Sequence, residues 1–217
     1  MIDKESIYYK RKNYIKHTLE EDKVSLNPIE QFRQWLEEAQ KHELHEVNAM
    51  CLSTVDEHFK PSSRIVLLRA FDNKGFVFFT NYQSRKGLEI NKNPFGAILF
   101  FWPELERQVR IEGQIQKLNA KESDAYFDTR PEESRISAIV SPQSQKINNR
   151  EELQNKITEF GKTLPSNKIN RPDYWGGYLL IPEYMEFWQG REHRLHDRLV
   201  FSLDPDKVSW IMERLAP

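Results

Sequence analysis

At 217 residues the chain is long enough for one large domain or two small ones, and folding at that length buries roughly 70 % of the unfolded surface, a core that needs no disulfides. The single cysteine, Cys51 in the apolar run Ala49-Met50-Cys51-Leu52, excludes a disulfide framework and a multi-cysteine zinc site and fits a reducing cytosol. Lys+Arg 32 against Asp+Glu 33 leaves a formal charge of -1, which excludes a polyelectrolyte partner of DNA, RNA or anionic membrane and confines any anion site to a local cluster.

The charged opening stretch, with Tyr8, Tyr9 and Tyr14 among Lys10, Arg11 and Lys12, carries no apolar core. No run of about 18 apolar residues follows anywhere, so neither a signal peptide nor a membrane span is expected and the chain reads as soluble and cytoplasmic. Composition makes residues 1–26 a solvated, mobile arm, and residues 27–217 a single domain. Asn27-Pro28-Ile29-Glu30 supplies an N-cap, a proline at the first helical position and an acid, and Phe32, Trp35, Leu36 and Ala39 follow at helical spacing, which predicts a helix over about 28–43. Five strands are predicted next: Val47–Val55, Arg64–Phe71, Phe76–Thr80, Gly96–Trp102 and Gln108–Leu118, punctuated by Asp56-Glu57-His58, Asp72-Asn73-Lys74-Gly75 and Asn91 to Pro94. A short helix, Ser84–Asn91 with Ser84 as its N-cap, interrupts them. Helices are then predicted at Lys121–Phe127, Glu132–Ile139 and Arg150–Phe160, a loop at Thr163–Pro172, and strands at Gly177–Ile181, Tyr184–Trp188, Arg198–Leu203 and Val208–Met212. Five strands within some seventy residues predict a mainly β class with α, a barrel or sandwich core with peripheral helices.

Only 8 glycines occur, and none falls into G-x-G-x-x-G or G-x-x-x-x-G-K-[ST], so a phosphate ligand has to be held by side chains. Arg64-Ile65-Val66-Leu67-Leu68-Arg69 is an apolar strand with an arginine at each end, and strand alternation puts the two on opposite faces. Arginine at a strand end is ordinarily a solvated terminus. Ser84-Arg85-Lys86, however, sets two cations at a helix start, where the dipole already favours an anion, and together these four cations suit one or two phosphate monoesters. The segment Glu186 to Arg198 packs Arg191, Arg194 and Arg198 around His193, His196 and Asp197; three guanidiniums would crowd a dication, so no metal is expected there, whereas an anionic planar ligand fits. Tyr126, Arg130-Pro131 and Ser134 form a third polar group at a helix end.

In order along the chain, Arg64 to Arg69, Thr80-Asn81-Tyr82-Gln83-Ser84-Arg85-Lys86, Leu105-Glu106-Arg107-Gln108-Val109, Tyr126 to Ser134, Phe187-Trp188-Gln189-Gly190, Arg194-Leu195-His196-Asp197-Arg198 and the terminal Glu213-Arg214-Leu215-Ala216-Pro217 resemble the pyridoxamine 5'-phosphate oxidase family. The likeness runs from about residue 27 to the last residue. It implies an FMN-binding split β-barrel whose C-terminal region dimerises, and a homodimer with FMN sites at the subunit interface. It further implies oxidation of pyridoxamine 5'-phosphate or pyridoxine 5'-phosphate to pyridoxal 5'-phosphate, with O2 reduced to hydrogen peroxide.

Carried onto this chain, the resemblance implies FMN contacts at Arg64, Ile65, Val66, Leu67, Leu68, Arg69, Phe79, Thr80, Arg85, Lys86, Gln108, Gln143, Ser144, Trp188 and Arg198. Substrate contacts fall on Arg11, Lys12, Asn13, Tyr14, Arg69, Tyr126, Arg130, Ser134, Arg194, Leu195 and His196, with Arg194 and His196 as the catalytic pair and Arg11 to Tyr14 as a lid. Three positions depart from the commonest pattern. Arg69 stands where many relatives have Lys, Phe79 where Tyr is frequent, and Asn13 replaces an acid. The rival readings are a split-barrel flavoprotein of another specificity, such as a flavin reductase-like or F420-type enzyme, and a non-catalytic module that binds FMN or pyridoxal phosphate. The Tyr126 to Ser134 and Arg194 to His196 segments argue against the first.

Overall fold

The computed structural model describes residues 13–42, 45–163, 169–206 and 209–217. Asn27 caps the first helix as its sequence predicts, its side chain accepting from the Ile29 and Glu30 amides, and α1 runs Pro28–Lys41 with Phe32, Trp35, Leu36 and Ala39 buried on one face. The strands are β1 (Ala49–Val55), β2 (Pro61–Leu67), β3 (Ala70–Asp72), β4 (Gly75–Asn81), β5 (Phe95–Trp102), β6 (Arg107–Lys117), β7 (Trp175–Gln189), β8 (Asp197–Leu203) and β9 (Trp210–Leu215). The remaining helices are α2 (Arg85–Lys92), α3 (Ala120–Asp128), α4 (Glu132–Val140) and α5 (Arg150–Thr163). Strand order is β2-β1-β5-β6-β7-β4-β3, with β8 on β7 and β9 on β8.

Three strand predictions are corrected. Arg64–Phe71 is two strands, because the Leu68 amide donates to Asn48 O at 2.8 Å and the Arg69 amide to Val77 O at 2.9 Å; within two residues the backbone leaves β1 and joins β4. The alternation is lost at that step, so Arg64 and Arg69 do not end on opposite faces. Conversely, Gly177–Ile181 and Tyr184–Trp188 are one strand, β7. Pro182, which has no N–H to give, sits where β7 passes from its pairing with β4, ending at Leu180, to its pairing with β8, beginning at Tyr184. The final predicted strand moves to Trp210–Leu215, and Val208 lies outside the described residues, as does Glu43 of the first predicted helix. Of the predicted loop Thr163–Pro172, residues 164–168 are likewise outside them, and 169–172 carry no regular structure.

The chain groups into two compact units. One takes in the N-terminal stretch to Val47, Leu99–Ile111 and Tyr184–Pro217. Its core packs α1 on strands: Phe32 meets Phe100 with ring centroids 4.9 Å apart, and Trp35 meets Phe187 edge-on at 5.2 Å. Truncating such a buried ring to alanine costs about 3–5 kcal/mol. In this unit the Ile15 and Lys16 amides donate to Glu106 Oε2, and Leu19 is buried. The other unit comprises Asn48–Ile98 and Glu112–Glu183. Met50, Leu52, Phe76, Phe78, Ile98 and Tyr178 fill its sheet-borne core, and Phe127, Ile136, Ile169 and Trp175 form a second cluster under α3 and α4. The Asp72–Gly75 turn between β3 and β4 demands its glycine: Gly75 has φ 145, and a Cβ there would stand 2.0 Å from Leu180 O.

Candidate functional site

A cavity of 580 Å³ opens in the second unit. Arg64, Ile65, Val66 and Leu67 come to it from β2, Arg69 from the strand break, Phe79 and Thr80 from β4, Lys86 from the first turn of α2, and Tyr126 from α3. Thr129, Arg130 and Pro131 between α3 and α4, Ser134 on α4, Gln143 and Trp175 complete the lining. Among the described residues that line it, four are cationic and none is acidic. Twelve of the predicted ligand residues therefore meet in one place: Arg64 to Leu67, Arg69, Phe79, Thr80, Lys86, Tyr126, Arg130, Ser134 and Gln143.

At one end Lys86 is 9 % exposed, and its ammonium donates to Thr80 Oγ1 at 3.1 Å and Ser84 Oγ at 3.3 Å. Thr80 Oγ1 in turn donates to Gln143 Oε1 at 3.1 Å. Burial, with the neighbouring Arg64 charge, pushes the Lys86 ammonium down to about 8. Arg64 donates to Leu52 O and pairs with Glu89 at 3.2 Å. Glu89 also accepts from Thr54, Ser62 and Arg85; burial alone would raise its carboxyl, but these donors and Arg64 outweigh it and hold it at about 2. Among the described residues this end thus presents a desolvated cation hydrogen-bonded to neutral hydroxyls alone, a donor set suited to a phosphate monoester. Arg85, by contrast, turns its guanidinium to Glu89 at 2.8 Å and lines a neighbouring cavity with Ser144, while Leu68 is buried in the core.

The other end is aromatic and cationic. Phe79 stacks on Tyr126 at 3.7 Å between centroids and on Trp175 at 5.6 Å, and Tyr126 and Trp175 lie within 6° of parallel. Arg130 sits 4.5 Å over the Trp175 ring, and Arg69 6.0 Å from the Tyr126 centroid. One Arg130 nitrogen donates to Ser134 O at 2.9 Å. Trp175 and Thr129 are absent from the sequence prediction; an aromatic opening a strand offers no signal of a cavity wall.

The remaining predicted residues lie in the first unit. Trp188 and His196 face each other at 4.7 Å, and Tyr14 meets each edge-on at 5.7 Å. His196 Nδ1 accepts from the Arg191 amide at 3.1 Å, which places the proton of the neutral ring on Nε2, and burial, then Arg194, lowers its pKa. Arg194 and Leu195 are exposed, and His193 and Arg194 take φ of 56° and 62°, a left-handed pair that costs about 1–2 kcal/mol per residue. Arg198, opposite Trp188 in the β7–β8 ladder, pairs with Glu186 at 2.8 Å, and Arg110 reaches the other Glu186 oxygen at 3.0 Å. The sequence gives Glu186 no role of its own; its ion pairs with Arg198, a predicted ligand residue, and with Arg110 emerge only from the fold. Gln108 is half-buried on the face of β6 opposite Arg107, Val109 and Ile111. Asn13 is exposed, and Arg11 and Lys12 lie outside the described residues. Among the described residues no group of three or more His, Cys, Asp and Glu side chains could hold a metal ion, and no helix is long and apolar enough to cross a membrane.

Residues 36–163 match a family model described as pyridoxamine 5'-phosphate oxidase, and residues 175–217 one described as the pyridoxine 5'-phosphate oxidase C-terminal dimerisation region. The pyridoxine/pyridoxamine 5'-phosphate oxidase of Cytophaga hutchinsonii is 50% identical over 208 residues, covering 95% of this chain and 96% of that one. The protein of the same name from Haemophilus influenzae is 52% identical over 207 residues, covering 95% and 97%. Among solved structures, PhzG from Burkholderia lata, in complex with tetrahydrophenazine-1-carboxylic acid, superposes with a TM-score of 0.86 at 29% identity over 94% of this chain and 100% of that one. A pyridoxamine 5'-phosphate oxidase-related, FMN binding protein from Nostoc punctiforme shares the fold, with a TM-score of 0.72 at 19% identity over 89% and 100%. The expected fold, a mainly β split barrel with peripheral helices, is borne out by these likenesses. With two family models matching most of it and relatives at half identity along nearly their full length, the chain belongs to the pyridoxamine 5'-phosphate oxidase family.

Proposed function

We propose that the protein oxidises pyridoxamine 5'-phosphate and pyridoxine 5'-phosphate to pyridoxal 5'-phosphate, with FMN as cofactor and O2 as the acceptor reduced to hydrogen peroxide. The observation that carries this reading is the two-ended cavity, which offers cationic groups at Lys86 and Arg64 and again at Arg69 and Arg130, one end for each of two phosphate monoesters. Lys86, Arg64, Thr80 and Gln143 hold the cofactor phosphate, and Arg69, Tyr126, Arg130 and Ser134 hold that of the substrate. FMN, when bound, would supply the redox chemistry, as acceptor of a hydride equivalent from the substrate and donor of the electrons to O2. The chain itself binds and orients. His196, with its proton on Nε2, donates to the substrate's ring substituents, and Arg194, exposed on its left-handed turn, positions the carbon that loses hydride.

The segment bearing Trp188, Arg194, His196 and Arg198 falls within the stretch matching a dimerisation region, which supports a homodimer in which this segment of one protomer completes the cavity of its partner. Tyr14, against Trp188 and His196, closes over bound substrate and excludes water. The test is turnover: purified protein, first checked for a flavin spectrum, is incubated with pyridoxamine 5'-phosphate in air while the aldehyde and peroxide are followed. Absence of both products from flavin-loaded dimer refutes the proposal.

A further inference from the structure

We infer that Trp175 is a positioning residue for phosphate binding: its indole face holds the Arg130 guanidinium in the cavity without neutralising it. The inference rests on the proposed role of Arg130 in binding substrate phosphate. Arg130 is half-buried, and among the described residues no carboxylate pairs with it. One Nη holds Ser134 O at 2.9 Å, a single tether about which the rest of the guanidinium can still swing toward water. An aspartate would fix it, but would also consume its donors and cancel its charge. The Trp175 ring, its centroid 4.5 Å from Arg130 Cζ, attracts the cation through its π face and leaves the in-plane N–H groups other than the one on Ser134 O available for a bidentate grip on phosphate.

The ring is itself held from several sides. Trp175 is 5 % exposed, its amide donates to Pro172 O at 3.0 Å, and its carbonyl accepts from Arg171 Nη1 at 2.6 Å. Arg171 is tied by its Nε to Asp124 on α3 at 2.7 Å. Phe127 packs edge-on at 5.2 Å, and Phe79 lies nearly parallel on the cavity side. The indole is therefore held between Phe127 behind it and Phe79 on the cavity side, with its backbone tied to Pro172 and Arg171, and Arg130 inherits that orientation.

The experiment measures inorganic phosphate binding by calorimetry at saturating FMN, which fills the Lys86 end, in parallel with steady-state kinetics. Trp175→Leu is expected to raise the phosphate dissociation constant and the KM for pyridoxamine 5'-phosphate about tenfold, with kcat within about twofold, and Trp175→Phe to restore most of the loss. In an Arg130→Gln background, Trp175→Leu should add nothing. Wild-type phosphate affinity in folded Trp175→Leu, or an equal further loss in the Arg130→Gln background, overturns the inference. If Trp175→Leu does not fold, Trp175→Phe carries the same test with an effect of about twofold to threefold, again required to vanish with Arg130→Gln. Trp175-dependent phosphate binding in a protein that turns over neither vitamer phosphate would refute the oxidase proposal and uphold this one; turnover with phosphate binding unchanged in the variants would do the reverse.

Discussion

Replacing Lys86 by methionine should stabilise the flavin-free protein while abolishing its ability to hold flavin. Folding carries this ammonium from an ordinary value of 10.5 to about 8, through burial and the charge of Arg64. At roughly 1.4 kcal/mol per pK unit the charged form costs about 3 kcal/mol at neutral pH. Its bonds to the Thr80 and Ser84 hydroxyls return about 1 kcal/mol each, and a methionine of similar reach is content in the same surroundings, so Lys86→Met should be more stable by about 1 kcal/mol. Between pH 8 and 10.5 the unfolded chain binds a proton that the folded one has released, so this penalty on the wild type is complete below 8 and relieved as pH rises toward 10.5. Urea unfolding of both flavin-free proteins at pH 7 and again near pH 10 reads the difference. A variant clearly less stable than wild type at pH 7, a gap indifferent to pH, or a variant that still purifies yellow would each refute the reasoning.

Arg194→Leu should lower turnover by about a hundredfold or more while leaving flavin content intact, because Arg194 is exposed on its turn and supports no core; flavin loss instead would mean its place in the site is misassigned. A Cβ at Gly190 would stand 2.7 Å from Tyr14 Cγ and 2.8 Å from Tyr14 Cβ, so Gly190→Ala should expel Tyr14, speed tryptic cleavage at Lys16 and raise KM severalfold, with thermal stability little changed. Glu186→Gln should destabilise the first unit by about 2 kcal/mol near neutral pH, since Arg110 and Arg198 lose their shared carboxylate. Burial works to raise the Glu186 pKa, but the Arg198 hydrogen bond and the two charges outweigh it and hold it below 4.5; wild type should therefore lose this contribution as pH falls below 4.5, and the variant should show no such loss.

Local chemistry was legible where it acts locally. The Asn27 and Ser84 caps, the Asp72–Gly75 turn and the buried stripe of α1 follow from side chains within a few residues of one another. The cationic cavity was legible too, since a strand bearing Arg64 and Arg69 and a helix with Lys86 in its first turn can be read from the sequence. What escaped were decisions made by distant partners. Nothing near Leu68 announces that Asn48 and Val77 divide the strand there, and nothing near Pro182 announces that β7 continues through it. Arg85 and Lys86 are adjacent and of like charge, yet Glu89 four residues on draws one away and the Thr80 and Ser84 hydroxyls draw the other inward. Trp175 joined the site only because stacking on Phe79, almost a hundred positions earlier, put it there.

The pairing of β4 with β7 has a consequence for the order in which the nascent chain can fold. Phe76 must meet Leu180 and Asn81 must meet Trp175, so β4, buried on both sides in the finished protein, emerges from the ribosome roughly a hundred residues before its neighbour exists. At about 5–20 residues per second that interval lasts on the order of ten seconds. Through it, the run Phe76-Val77-Phe78-Phe79 has only the three-residue β3 as a paired strand, which leaves its other edge open to any other strand. Slow maturation, and aggregation of chains truncated before Trp175, are what such non-local pairing favours, whatever the stability of the completed protein.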